Sequence, residues 1–353
     1  QEEEQEEEQE EEQEEDLNFA LDALLVVEQN NKGQLARALK IEPAGERGYT
    51  RESLLKEIRK ARIDKLLSKS DQPDWLEEKL QEMVGLEAVK NQVRGLQLEV
   101  FYDKLCNKTA GKVNRHMVFK GNPGCGKTEM ARLVGEVLHK IGVVKTNKFV
   151  EVQRSDLVAE HVGGTQPKTQ KIIKKARGGV LFIDEAPQLC KDQTDQYGRE
   201  ALGELMKILN EGDPVVILAG YPDDMNTMLQ NDPGLARRFP THFEFPDHKP
   251  ADLAKIFIQK VERDGKKLHS ELKEEIIAGL IEDSTDENII ACHNGSICDT
   301  LLRESKKHLR ERLPLHQKNL SKEKLSKEQR DYFKTLRWVD LEKGAAFLKE
   351  LPV

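Results

Sequence analysis

The stretch GNPGCGKTEM, residues 121–130, holds the residue types and spacing needed to grip a phosphate. Gly121, Gly124, Gly126, Lys127 and Thr128 spell G-x-x-x-x-G-K-T. Glycines let the backbone wrap until its N–H groups converge on phosphate oxygens. The Lys127 ammonium can then reach the β and γ phosphates, and the Thr128 hydroxyl can ligate Mg²⁺. Asn122, Pro123 and Cys125 complete the candidate ATP-binding loop, and Glu129 follows it. Further along, Val180-Leu181-Phe182-Ile183 runs into the acidic pair Asp184-Glu185. A carboxylate pair at the end of a parallel strand sits where open α/β sheets bind ligands. Asp184 would hold Mg²⁺, and Glu185 would orient or deprotonate an attacking water. Lys127 and Glu185 are therefore the candidate catalytic residues here.

These groups need a scaffold that brings strand ends together. From Lys112 to about Phe245, apolar segments alternate with amphipathic ones: HMVFKG before the loop, then KFVEVQ, VLFIDE and PVVILAG. Such alternation predicts an α/β domain, a parallel sheet covered by helices on both faces. Beyond Pro250 the pattern is helical and strand-free, with Pro314 as an internal break, and predicts a helical lid followed by C-terminal helices. Ahead of the sheet, a small helical unit at 17–70 ends at the break SDQPD, 70–74. The expected organisation is thus a tail at 1–16, that unit at 17–70, the α/β domain at 71–247, and the lid with its helices at 248–353.

Composition narrows the class. The 353-residue chain is 34% charged and only 5% aromatic, which favours a helix-rich soluble protein. No run of 18 apolar residues is present, so no membrane span is expected. Residues 1–16 hold twelve acids and no base; taking them from 64 leaves 52 acids against 56 bases. The rest is close to balanced, and its charge makes no case for nucleic-acid binding. The EEEQ repeat reads as a tail without its own fold rather than as a solvated helix. The chain opens on glutamine rather than methionine, which leaves room for a targeting segment ahead of it. Cys106, Cys125, Cys190, Cys292 and Cys298 are odd in number and scattered, and fit free thiols in a reducing, intracellular compartment. Cys292-His293 with Cys298 lacks the fourth ligand and second close pair of a zinc site.

Several further stretches carry a family resemblance. LFIDEA, YGREAL (197–202), VVILAGY (215–221) and DPGLARRFP (232–240), with MVGLEAVKNQV (83–93) and RSDLVAEHVGGTQPKTQ (154–170), resemble the CbbX/CfxQ family of AAA+ ATPases, which includes red-type Rubisco activases and the stage V sporulation protein K type. The match covers about residues 76–310. The resemblance implies a hexameric ring with ATP held between neighbours. It places Val84 and Gly85 against the adenine and makes Arg238 an arginine finger entering the next subunit, with Arg237 assisting. The plainer reading of Arg237-Arg238 is an exposed basic pair. The resemblance also implies a pore loop at His161-Val162-Gly163 past which a polypeptide is threaded.

The chain departs from the family in three places. His161 stands where the pore aromatic is found. In the lid, the family's N-G/A-R-x-x-R-N becomes Asn294-Gly295-Ser296-Ile297-Cys298-Asp299-Thr300, so Ser296 and Asp299 occupy the arginine places, with Arg303 one turn further. Gly220-Tyr221 stands where many relatives in the wider superfamily keep a polar sensor. Three functions therefore stay open: an ATP-driven motor that remodels a protein, a nucleotide-gated assembly scaffold with weak or partner-dependent turnover, and nucleic-acid remodelling through the basic helix RESLLKEIRKARIDK.

Overall fold

The computed structural model describes residues 75–105, 114–190, 195–312, 326 and 331–352. The acidic run, the 17–70 unit, Cys106 and Pro314 lie outside the described residues. Two compact units are present. The described residues of the first are α1 (Trp75–Glu82) and the part of α2 (Glu87–Leu105) from Val93 onward, where Arg94 forms a two-pronged bridge to Glu77. The second holds Met83–Gln92 and everything described from Asn114 onward.

The second unit is built on five parallel strands: β1 (Met117–Gly121), β2 (Phe149–Val152), β3 (Val180–Ile183), β4 (Val215–Gly220) and β5 (Thr241–Phe245), in the order β2-β3-β4-β1-β5. Between them run α3 (Lys127–Lys140), α4 (Arg154–Leu157), α5 (Thr165–Ala176), α6 (Gln196–Leu209), α7 (Pro222–Asn231) and α8 (Pro233–Ala236). The three central strands read MVFKG, VLFI and VVILAG, and every residue in them is buried. Apart from Lys120 near the end of β1, these runs are apolar, as strands covered by helices on both faces require. The edge strands FVEV and THFEF instead expose Glu151 and Glu244. Phe119 packs between Phe243 and Phe245 at centroid distances of 4.9 and 5.1 Å.

After the sheet come α9 (Pro250–Arg263), β6 (Lys267–Leu268), α10 (Glu274–Ser284), α11 (Glu287–His293), α12 (Gly295–Glu311), β7 (Thr335–Leu336) and α13 (Trp338–Ala346). They enclose a core of their own around Phe257, Ile281, Leu301 and Leu341, distinct from the sheet-side core around Leu181, Leu205 and Leu218. The expectation of a strand-free region is corrected, because β6 and β7 pair in parallel. Strands of two residues carry no alternation that a sequence could display. The helices α12 and α13 cross closely where Gly344 meets Ser305; a Cβ there would lie 2.7 Å from Ser305 Oγ. Buried Asp340 ties this corner, accepting from Arg312 at 2.8 Å and from the Arg337 N–H at 2.9 Å.

The four described cysteines are free thiols. Among the described residues, no helix is long and apolar enough to cross a membrane.

Buried His116 joins β1, β4 and α6. Its Nδ1 accepts from the Val216 N–H at 2.9 Å, so Nε2 carries the proton and donates to Leu209 O at 2.9 Å. Burial pulls this imidazole below its usual 6.5. The unfolded chain therefore binds the proton more readily, and stability is lost as pH falls below the unfolded value. Urea midpoints should drop between about pH 7.5 and about pH 5.5, and the drop should shrink in His116→Gln.

Candidate nucleotide site

The glycine loop leaves β1 at Gly121 and enters α3 at Lys127. Gly124 and Gly126 have φ of +70° and +94°, the left-handed region that glycine enters without penalty. A Cβ on Gly121 would lie 2.7 Å from Phe245 Cβ and 2.8 Å from Cys125 Sγ, so the loop closes tightly on the sheet. No side chain caps the start of α3. The first-turn N–H groups of a helix lack intrahelical acceptors and attract anions. Lys127 Nζ lies along the inner side of the loop, donating to Gly121 O and Asn122 O at 2.7 Å each. Thr128 and Glu129 follow in the same first turn. Pro123 bridges Asn122 and Gly124 within the loop. Burial pushes the Cys125 thiol above its ordinary value, so it stays protonated beside that ammonium.

Strand register sets the carboxylates beside this loop. Ile183 lies opposite Leu218, and Gly220 lies opposite Lys120, so the ends of β3, β4 and β1 form adjacent tips. Asp184 and Glu185 follow the first tip, Tyr221 the second, and Asn122 the third. Asp184 Oδ1 accepts the Glu185 N–H at 3.0 Å. Glu185 sits in the left-handed region, at φ 50° and ψ 40°, with its carboxylate held by Gln188 Nε2. Half-exposed Tyr221 is pushed upward by burial and then by the Glu185 and Asp184 charges. Its phenol therefore belongs to the carboxylate cluster, a placement that sequence reasoning left unused.

Val84 and Gly85 precede Leu86, whose Cδ1 reaches to 3.4 Å of the Cβ position of Gly126. The segment thus lies against the glycine loop, through a residue that sequence reasoning passed over. Gly85 has φ +65°, and a Cβ on it would meet Asp252 of α9 at 3.1 Å.

Two sequence-predicted positions stand apart from the loop. Arg238 precedes β5, at the far end of a strand whose last residue, Phe245, pairs with Gly121. Its Nε donates to Asn210 Oδ1 at 3.0 Å, and its Nη1 to Gly234 O at 2.8 Å. Neighbouring Arg237 is exposed. His161, Val162 and Gly163 are all exposed in the loop before α5, with Val162 at 86%.

The lid contacts the loop directly. Gly295 N–H donates to Gly124 O at 3.1 Å, and a Cβ on Gly124 would fall 2.5 Å from His293 O. Asp299, in an arginine place of the family pattern, pairs with Lys260 at 2.5 Å. Arg303 turns to Glu304 at 3.0 Å with 67% of its side chain exposed. The Asp299 charge is therefore matched within the lid, and Arg303 is engaged along its own helix.

The model for the ATPase family associated with various cellular activities (AAA) matches residues 117–247, and a domain of unknown function (DUF8495) matches 247–348. Protein CfxQ of Xanthobacter flavus is 40% identical over 54% of this chain and 62% of its own length. Stage V sporulation protein K of Bacillus subtilis (strain 168) is 32% identical, covering 65% of this chain and 73% of that one. The chain belongs to the CbbX/CfxQ family of AAA+ ATPases. This AAA+ chain also shares its fold with the FIGL-1 AAA domain, solved in complex with ADP, at a TM-score of 0.54 and 18% identity, covering 75% of this chain and 82% of that one. The chain spans 62% of the length of CfxQ.

Proposed function

We propose that this chain binds Mg-ATP on the Gly121–Thr128 loop and hydrolyses it between neighbours in a hexameric ring, using the cycle to remodel a protein partner. One observation carries the reading. The ammonium, the carboxylate pair and the uncapped helix start lie at the C-terminal ends of the strands, while Arg238 precedes the N-terminal end of β5. On this reading, a cation at that end of the strands serves the triphosphate held by another copy. A head-to-tail contact of that kind closes into a ring.

Thr128 and Asp184 are the residues to hold Mg²⁺, which supplies charge neutralisation across the phosphate oxygens. Lys127 exchanges its two carbonyl partners for phosphate oxygens. Glu185, tethered by Gln188, is left to orient water. The exposed Val162 and His161 provide the contact with a threaded polypeptide. A histidine ring stacks and donates hydrogen bonds but offers less apolar area than a tyrosine or phenylalanine.

Titration calorimetry tests the first step. Mg-ATP should give a saturable signal, and Lys127→Ala should weaken binding by about 10- to 100-fold, the value of one or two charge-assisted hydrogen bonds. Mass measurement should show six-fold assembly on adding ATP and Mg²⁺. Absence of heat with the intact chain overturns the reading.

The scaffold reading draws on a separate observation, the engagement of Asp299 with Lys260 and of Arg303 with Glu304. It predicts ATP-dependent assembly in which intact chain and Glu185→Gln release phosphate equally slowly.

A further inference from the structure

The lid has no arginine in either family place, yet it touches the glycine loop, and the connection runs through Asp247. This residue lies between β5 and α9, with its side chain between loop and lid. Asn122 Nδ2 donates to both Asp247 carboxylate oxygens at 3.0 Å. Asn294 Nδ2 donates to the same Oδ1 at 2.8 Å. Asn294 is fully buried at the start of α12, and its own Oδ1 accepts the His248 N–H at 2.9 Å. Asp247 thus bridges the first loop residue to the residue that caps the lid helix, and Asn294 holds the linker in return.

Asn122 is gripped at both ends. Its carbonyl accepts from Lys127 Nζ at 2.7 Å, while its side-chain amide donates to Asp247. On the exchange proposed above, Lys127 gives up that carbonyl when it turns to a phosphate. The far end of the relay is held under strain: Asn294 has φ 41° and ψ −123°, a region that residues with a Cβ enter at a cost. Such a conformation persists only where surrounding contacts over-determine it. Here the Asp247 and His248 bonds and an N–H donated to Ile290 O at 2.7 Å do so.

The geometry points to Asp247 as a positioning residue that reports occupancy of the loop to the lid. Withdrawal of Lys127 frees the Asn122 carbonyl. The Asn122–Asp247 link then shifts, and Asn294, released from one of its restraints, resets the first turn of α12. The lid responds to the triphosphate through a carboxylate bridging two amides, without an arginine on the γ-phosphate. This inference rests on the proposed ATP site and names how that site is coupled.

Hydrogen–deuterium exchange on the full chain, with and without Mg-ATP, tests it. In the wild type, ATP should alter exchange both in the loop, 121–128, and in the first turn of α12, Gly295–Cys298. In Asp247→Ala the loop response should remain while the α12 response falls about tenfold or more, within the usual range of coupling between sites. Asp247→Asn keeps one acceptor oxygen and should recover part of the α12 response, which loss of fold would not allow. Asn294→Gly removes the side-chain bonds to Asp247, His248 and Ala291 while relieving the backbone, and should uncouple the lid without lowering the melting temperature. An undiminished α12 response in both Asp247→Ala and Asn294→Gly overturns the relay alone. A wild type that responds in the loop but not in α12 does the same. Absence of any wild-type response in the loop overturns the ATP site together with the relay.

Discussion

Glu185→Gln should keep Mg-ATP bound and lower steady-state phosphate release by about 10²- to 10⁴-fold, the usual contribution of a positioned general base. The substitution is nearly isosteric. The Gln188 amide can still donate to the new side-chain oxygen, as it does to Glu185 Oε2. The left-handed backbone at this position is shared by both residues, so the fold has no reason to change. The loss is confined to the charge that draws a proton from water. Removing one negative charge beside the triphosphate should also tighten ATP binding slightly. A malachite-green release assay with a parallel binding measurement separates the two effects. Unchanged turnover in the variant would remove Glu185 from the chemistry.

Arg238→Ala should be more severe, lowering turnover by about 10³- to 10⁵-fold, as for an arginine finger supplied in trans, which is about 4 to 7 kcal/mol of barrier. Geometry supports trans action: the guanidinium is anchored to Asn210 and Gly234 at the end of the sheet remote from its own glycine loop. Mixing gives the decisive test. An Arg238→Ala subunit retains Glu185, and a Glu185→Gln subunit retains Arg238. In a random equal mixture about a quarter of the interfaces join the two intact halves, so about a quarter of wild-type activity should return. No recovery on mixing would assign Arg238 a role within its own chain. Arg237→Ala, at an exposed position, should act more mildly.

The glycine loop and the acidic pair were legible because their chemistry is compressed into short runs, eight residues for one and six for the other. The central strands were legible for a related reason: MVFKG, VLFI and VVILAG are buried on both faces and so are apolar but for Lys120. The strands β6 and β7 were not, since two residues show no period. The lid was only half readable. Loss of both family arginines is visible in Ser296 and Asp299, but the partner that neutralises Asp299 is Lys260, 39 positions earlier. Likewise, Asn122, Asp247 and Asn294 are ordinary residues in separate segments, and only the fold makes them one hydrogen-bonded set. Leu86 escaped notice because its role is contact with Gly126, a matter of packing rather than of residue type.

Strand order has a consequence for biogenesis. β1 carries the nucleotide loop, yet both of its neighbours, β4 and β5, are made long after it: Met117 pairs with Ile217 on one side and with Thr241 on the other. During translation the largely apolar ribbon MVFKG emerges with no partner on either edge and must wait for about a hundred further residues. At typical elongation speeds that wait lasts roughly 5 to 20 s. Nascent chains stalled before Val215 should therefore be the species that chaperones capture, whereas those stalled after Phe245 should escape them.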